Sequence, residues 1–271
     1  MKRVKAPGEP NLPEPRAQRD FVTVDGKRLE TLRYPPSGKG TTVVMVHEGL
    51  GSVSMWKDFP ERIAEATGCG VLVYSRYGHG KSERLAEKRG VDFMHHEAHV
   101  VLPELLERME IRSPVLLGHS DGGSICILYA ATAARKPRAL VLEAPHVFVE
   151  ELSVRSIAKI GATYQTTDVA KKLGRYHDHV DETFWGWNDI WLDPQFRSWN
   201  IEEFLDDLAC PVLVIQGVDD EYGTLAQVEA IKKRVPGTES LVLQECGHAP
   251  HRDQQRTTLA AITKFVQRVA G

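Results

Sequence analysis

Apolar positions along the chain follow two periods, and the alternation between them predicts most of the architecture. "FVTVDGKRLETLRY" (residues 21–34) alternates apolar and polar residues on both sides of Asp25-Gly26, the pattern of two short strands joined by a tight hairpin turn. "TTVVMVH" (41–47) is instead a continuous β-branched run, as expected for a strand covered on both faces. Similar runs follow in "VLVYS" (71–75), "PVLLGHS" (114–120), "RALVLEAP" (138–145), "PVLVIQG" (211–217) and "ESLVLQE" (239–245). Between them lie stretches with helical spacing: Asp58–Thr67 ending at Gly68, Asp92–Glu110, Gly122–Ala134, Leu225–Val235 and Gln254–Val269. Pro103 falls inside the second of these and predicts a kink or two abutting helices.

Strands alternating with helices imply an α/β fold, a mostly parallel eight-stranded sheet with helices on both faces. One stretch breaks the rhythm. Residues 146–208 show helix-like pattern, no strand, and four of the five tryptophans. An insertion of that length is too long for an ordinary connection and reads as a helical cap. The expected organisation is an extended lead-in over 1–20, a core of 21–145 and 209–271, and the cap over 146–208.

Against that frame, Gly118-His119-Ser120-Asp121-Gly122 stands out, because it joins a predicted strand to a predicted helix. In a sharp strand-to-helix turn, glycine two residues either side of a serine relieves crowding and lifts the hydroxyl clear at the carboxyl end of the sheet. A serine needs a base to take its proton and a carboxylate to orient that base. Both follow in the order Ser, Asp, His: "QGVDDEYG" carries Asp219 and Asp220 after one strand, and "CGHAP" carries His248 after the last.

These residues, with "VVMVHEGLGS" and "YSRYGHGKS", resemble the α/β-hydrolase superfamily over roughly residues 21–270, in its esterase, lactonase and carbon–carbon hydrolase branch. The resemblance implies Ser120 as nucleophile, Asp220 as acid and His248 as base. It also implies an oxyanion hole from backbone N–H groups of Asp121 and of Gly49 or Leu50. Asp219 and Glu143 remain rival acids. Of the other histidines, His119 reads as support under the serine, His47 as a brace for the oxyanion loop, and His251 as a rim residue. His95, His96 and His99 resemble a metal cluster but read as a solvated helix face, so no metal is expected.

Two positions depart from the common pattern: Glu48 stands where glycine is frequent, and Asp121 where an apolar residue or glutamine is frequent. Either carboxylate near the acyl pocket would disfavour anionic substrates and favour amine-bearing ones, as the Ser-Asp-Gly-Gly run of amino-acid ester hydrolases suggests. The ordinary alternative is that both turn away and cap backbone N–H groups. The expected substrate pocket comprises Glu48, His146, Trp185, Trp187 and Trp191.

Composition narrows the classes further. The 271 residues are 42% hydrophobic and 26% charged with net charge −3, and no basic block marks a nucleic-acid partner. No apolar run approaches a membrane span, and the proline-bearing N-terminus lacks a signal-peptide core, so a cytoplasmic location is expected. Cys69, Cys126, Cys210 and Cys246 include no CxxC pair and read as buried thiols rather than a zinc or disulfide framework. The reading is a cofactor-free serine hydrolase of a small ester, lactone or related acyl bond. A carbon–carbon hydrolase of aromatic ring-cleavage products, or a small-molecule receptor on the same fold, are the alternatives. A homo-oligomer is left open.

Overall fold

A computed structural model describes residues 17–37 and 40–270. The predicted lead-in over 1–20 lies mostly outside them, and its described end is already strand. Eight strands form one sheet: β1 (Gln18–Val24), β2 (Lys27–Tyr34), β3 (Thr42–Val46), β4 (Gly70–Tyr74), β5 (Val115–His119), β6 (Ala139–Glu143), β7 (Val212–Gly217) and β8 (Glu239–Leu243). Their order is β1-β2-β4-β3-β5-β6-β7-β8. The β1/β2 hairpin is antiparallel and joins β4 antiparallel, and every other pairing is parallel. Asp25 and Gly26 both have positive φ (48° and 70°), the backbone a two-residue hairpin requires.

Except in the edge strand β8, which is largely exposed, the continuous apolar runs follow from burial on both faces. On one face Val44, Leu72, Leu116, Leu140 and Val214 share a core with the helices from residue 93 to 132 and with the insertion. On the other, Val43, Met45, Val71, Leu117 and Ile215 pack against Phe59 and Ile63 of α1 (Phe59–Thr67), and Ile262 and Phe265 near the C-terminus. Residue 103 produces no sharp break. Helix α2 (Phe93–His96), a π turn (Glu97–Val101) and α3 (Leu102–Arg108) run on consecutively, with Pro103 at the second position of α3. The proline removes one donor from the continuing ladder, and it does so right after the π turn, where the Leu102 N–H reaches back to the Glu97 carbonyl.

Helix α4 (Asp121–Thr132) starts directly after β5. Between β6 and β7 come α5 (Glu151–Thr163), α6 (Val169–Leu173), α7 (Val180–Leu192) and two short 3-10 turns, and an isolated antiparallel bridge, Phe148–Asn200, pairs the start of this insertion with a residue near its end. After β7 come α8 (Ala226–Arg234), α9 (Pro250–Asp253) and α10 (Gln255–Ala270). No helix among the described residues is long and apolar enough to cross a membrane.

Candidate active site

Ser120 sits at the β5–α4 junction with φ 54° and ψ −120°, a left-handed conformation that costs a non-glycine residue about 1–3 kcal/mol. Its surroundings hold it there. Its N–H donates to the Glu143 carbonyl (2.9 Å), and its own carbonyl accepts from Gly123 N–H (2.8 Å). The flanking glycines are steric necessities: a Cβ on Gly118 would lie 2.3 Å from the Gly122 carbonyl oxygen, and one on Gly122 2.1 Å from that of Val46.

The sheet brings three of the predicted residues together at its carboxyl edge. Ser120 Oγ lies 2.8 Å from His248 Nε2, and His248 Nδ1 lies 2.9 Å from both carboxylate oxygens of Asp220. Because a carboxylate only accepts, the proton of neutral His248 sits on Nδ1 and leaves Nε2 to accept from the serine. Burial alone would lower the His248 pKa; the adjacent Asp220 carboxylate outweighs it, aided by Glu48 and Glu221, and the value rises above that of free imidazole. Asp220 is held below the usual carboxylate range: burial opposes ionisation, but His248 and the Tyr222 N–H together prevail. Asp220 also accepts from Gln216 Nε2 (2.6 Å) and from the N–H groups of Tyr222 (2.8 Å) and Gly223 (3.1 Å).

The rival acids separate cleanly. Asp219 is exposed, and Glu143 is fully buried but accepts from His251 Nδ1 at 2.8 Å. His251 is therefore a buried residue packed on Trp56 and Phe59 rather than the rim residue expected. Its place under α1 was invisible along the sequence. His119, next to Ser120, donates from Nε2 to the His248 carbonyl (2.7 Å) and so braces the His248 loop. His47 donates from Nδ1 to the Glu48 carbonyl (2.7 Å) and accepts the Arg76 N–H at Nε2 (2.9 Å).

Around Ser120 and His248 closes a cavity of about 50 Å³, lined by Glu48, Gly49, Leu50, His146, Ser153, Ile157, Trp187, Trp191 and Tyr222. The N–H groups of Gly49, Leu50 and Asp121 donate to no other backbone group or side chain among the described residues. Four of the five expected pocket residues thus line the cavity: Glu48, His146, Trp187 and Trp191. Trp185 does not. It packs edge-on against Tyr164 and Phe184 inside the insertion, because on a helix it faces away from Trp187 and Trp191. Ser153, Ile157 and Tyr222 were missed, since nothing in their local sequence marks them.

The two unusual carboxylates part ways. Glu48 lines the cavity, half-buried, and its side chain accepts no hydrogen bond among the described residues. Burial works against its charge, yet the ring of His119, His248, Arg252 and His251 holds its pKa below the usual value, so it is anionic near neutrality. Asp121 turns its carboxylate away from the cavity. Its Oδ2 is 3.4 Å from Arg76 Nη2, and its Oδ1 accepts from Trp191 Nε1 (3.2 Å). Neither carboxylate caps a backbone N–H among the described residues. His146 is neutral, pushed down to about 3 by burial and then by His248, and its Nδ1 has no hydrogen-bond partner. No group of three or more His, Cys, Asp or Glu among the described residues could hold a metal ion; His96 instead pairs with Asp25 (2.7 Å).

With this geometry in view, comparison with known proteins places the chain. The sequence profile of the alpha/beta hydrolase family matches residues 43–262. The chain belongs to the alpha/beta hydrolase family, an enzyme of the hydrolase class. Among curated relatives it is 20% identical to a proline iminopeptidase of Heyndrickxia coagulans, over 92% of this chain and 98% of that one. It is 23% identical to a 2-hydroxy-6-oxononadienedioate/2-hydroxy-6-oxononatrienedioate hydrolase of Comamonas testosteroni, over 84% and 89%. Among solved structures, an esterase from Exiguobacterium antarcticum superposes with TM-score 0.75 at 19% identity, over 91% of this chain and 98% of that one. That likeness is one of fold.

Proposed function

We propose that the protein is a serine hydrolase that cleaves a small ester, lactone or related acyl bond. The observation that carries the reading is the unbroken chain of hydrogen bonds from Ser120 Oγ through His248 to Asp220, at 2.8 and 2.9 Å. In this mechanism Ser120 Oγ attacks the acyl carbon while His248 Nε2 takes its proton. His248 returns that proton to the leaving oxygen, and an acyl-enzyme forms. Water, deprotonated by the same nitrogen, then releases the acid. Asp220 keeps the ring in its Nδ1–H form and stabilises the imidazolium. The N–H groups of Asp121 and of Gly49 or Leu50 are free to hold the oxyanion, and removing one such donor typically costs ~10²–10³-fold.

The cavity narrows the substrate. At about 50 Å³ under Trp187 and Trp191 it admits a short acyl group, with the insertion acting as its cap. Glu48 favours neutral or amine-bearing acyl groups over those with a free carboxylate. That preference also weighs against the second reading, a carbon–carbon hydrolase of aromatic ring-cleavage products, which the Comamonas relative supports by its name. A panel setting aryl esters against vinylogous diketones decides between them.

Ser120→Ala should abolish turnover of a p-nitrophenyl ester, and unchanged turnover would overturn the assignment. Labelling of Ser120 by a fluorophosphonate separates an enzyme from a receptor on the same fold, which would stay unlabelled.

A further inference from the structure

The backbone carbonyls of the Glu48-Gly49-Leu50 loop are each gripped by a side chain. Glu48 C=O accepts from His47 Nδ1 (2.7 Å) and Arg76 Nη2 (2.8 Å), Gly49 C=O from His79 Nε2 (2.9 Å), and Leu50 C=O from His177 Nε2 (2.9 Å). In a trans peptide the carbonyl of one residue and the N–H of the next lie in one plane and point in opposite directions. Holding the Glu48 and Gly49 carbonyls from behind therefore aims the N–H groups of Gly49 and Leu50 the other way. Holding the Leu50 carbonyl fixes the next plane, whose Gly51 N–H donates back to the Glu48 carbonyl (3.1 Å) and so ties His177 to the plane that carries the Gly49 N–H.

His177 differs from the other three because it comes from the insertion, between α6 and α7. It is buried, and both of its ring nitrogens are engaged: Nε2 donates to Leu50, and Nδ1 accepts the Gly80 N–H at 2.9 Å. Its neighbours stitch the same two segments together. Asp178 N–H donates to the Gly80 carbonyl (2.9 Å), and Thr183 Oγ1 to the Gly78 carbonyl (2.6 Å). The His79 ring, which grips Gly49, stands edge-on to His177 with centroids 6.2 Å apart.

We propose that His177 is a positioning residue for the oxyanion loop, through which seating of the 146–208 insertion sets the aim of the Gly49 and Leu50 N–H groups. The inference builds on the serine-hydrolase reading above. It makes the insertion more than a wall of the pocket: when the insertion lifts from the 76–80 loop, the loop that stabilises the transition state loses one of its anchors. Burial lowers the pKa of both His79 and His177; neutral His177 gives its one N–H to Leu50, whereas the one N–H of His79 is shared in reach between the Gly49 carbonyl at Nε2 and the Tyr77 carbonyl at Nδ1 (3.0 Å), where Arg89 Nη2 (3.3 Å) also approaches as a donor.

The test uses the full chain, a small activated ester (p-nitrophenyl acetate), and a methyl trifluoromethyl ketone as tetrahedral analogue. His177→Ala should lower kcat by about 10–100-fold with KM within threefold, and weaken the ketone by the same factor as kcat/KM. His177→Gln, which keeps a donor for Leu50, should recover much of the loss, and His177→Phe, which keeps the ring but no donor, serves as the test variant if the alanine chain does not fold. Loss of kcat with unchanged ketone affinity, or kcat within twofold of wild type in a folded His177→Ala or His177→Phe chain, would overturn the proposal. Wild-type turnover that survives Ser120→Ala would instead overturn the hydrolase reading and this inference with it.

Discussion

Glu48 offers the most direct test of how the pocket chooses among acyl groups. Its half-buried carboxylate lines the same cavity as Ser120 and His248, remains ionised, and is neutralised by no hydrogen-bond partner among the described residues. The Arg76 guanidinium is committed to Asp121 and to the Glu48 carbonyl, and Arg252 acts on the Glu48 carboxylate without a hydrogen bond. A second charge brought within about 4 Å would interact with it by about 1 kcal/mol at the dielectric of water and about 4 kcal/mol at an effective value of ~20. Because Glu48 is partly exposed, the lower part of that range applies, about 1–2 kcal/mol, or roughly a fivefold to thirtyfold effect in kcat/KM. The assay is kcat/KM for a matched set of aryl esters whose acyl ends are neutral, carboxylate-bearing and amine-bearing. Wild type should rank amine and neutral above carboxylate. Glu48→Gln should raise the carboxylate ester and lower the amine ester by about that factor each, leaving the neutral ester within about twofold. A wild-type preference for the carboxylate ester, or a Glu48→Gln variant with the ranking unmoved, refutes the reasoning.

Asp220→Asn keeps the size of the acid but removes the charge that stabilises imidazolium, and should lower kcat by roughly 10³–10⁴-fold, which steady-state rates on the neutral ester will show. Because His248 is raised above 6.5, kcat/KM should fall as pH drops through a value above 6.5, where the base becomes protonated. Glu48→Gln removes one of the charges that raise it and should move that limb to lower pH; a wild-type limb at or below 6.5 contradicts the electrostatic account. The same coupling contributes stability that is present below 6.5 and fades as pH rises through the folded value. Gly122→Ala drives a Cβ to 2.1 Å from the Val46 carbonyl, a backbone neighbour that cannot swing aside, so a cost of about 3 kcal/mol or more is expected. Calorimetry should then show Tm lower by about 6–12 °C.

Much of this protein is legible along the chain because the relevant physics is local. Strand identity follows from runs such as "VVMV", which only a strand buried on both faces tolerates, and the hairpin from an Asp25-Gly26 pair that accepts positive φ. The serine turn is equally local: Gly118 and Gly122 are there because the backbone at Ser120 leaves no room for a Cβ. The order of Ser120, Asp220 and His248 along the chain, each at a strand end, was enough to nominate them.

What the sequence could not decide were choices made between segments distant in the chain. Whether Asp219, Asp220 or Glu143 meets His248 depends on sheet register and on His251 claiming Glu143 from beneath α1. Glu48 and Asp121 look alike as departures from the family pattern. The tertiary structure separates them, because the Arg76 guanidinium lies on the Asp121 side and draws that carboxylate out of the pocket. Ser153 and Ile157 line the cavity only because the insertion folds back over the sheet, Tyr222 because the turn after β7 carries it beside Asp220, and Trp185 is excluded by the turn of α7. Covalent neighbours dictate backbone geometry over a few residues; partners for a buried charge are chosen by whichever groups the finished fold leaves within reach.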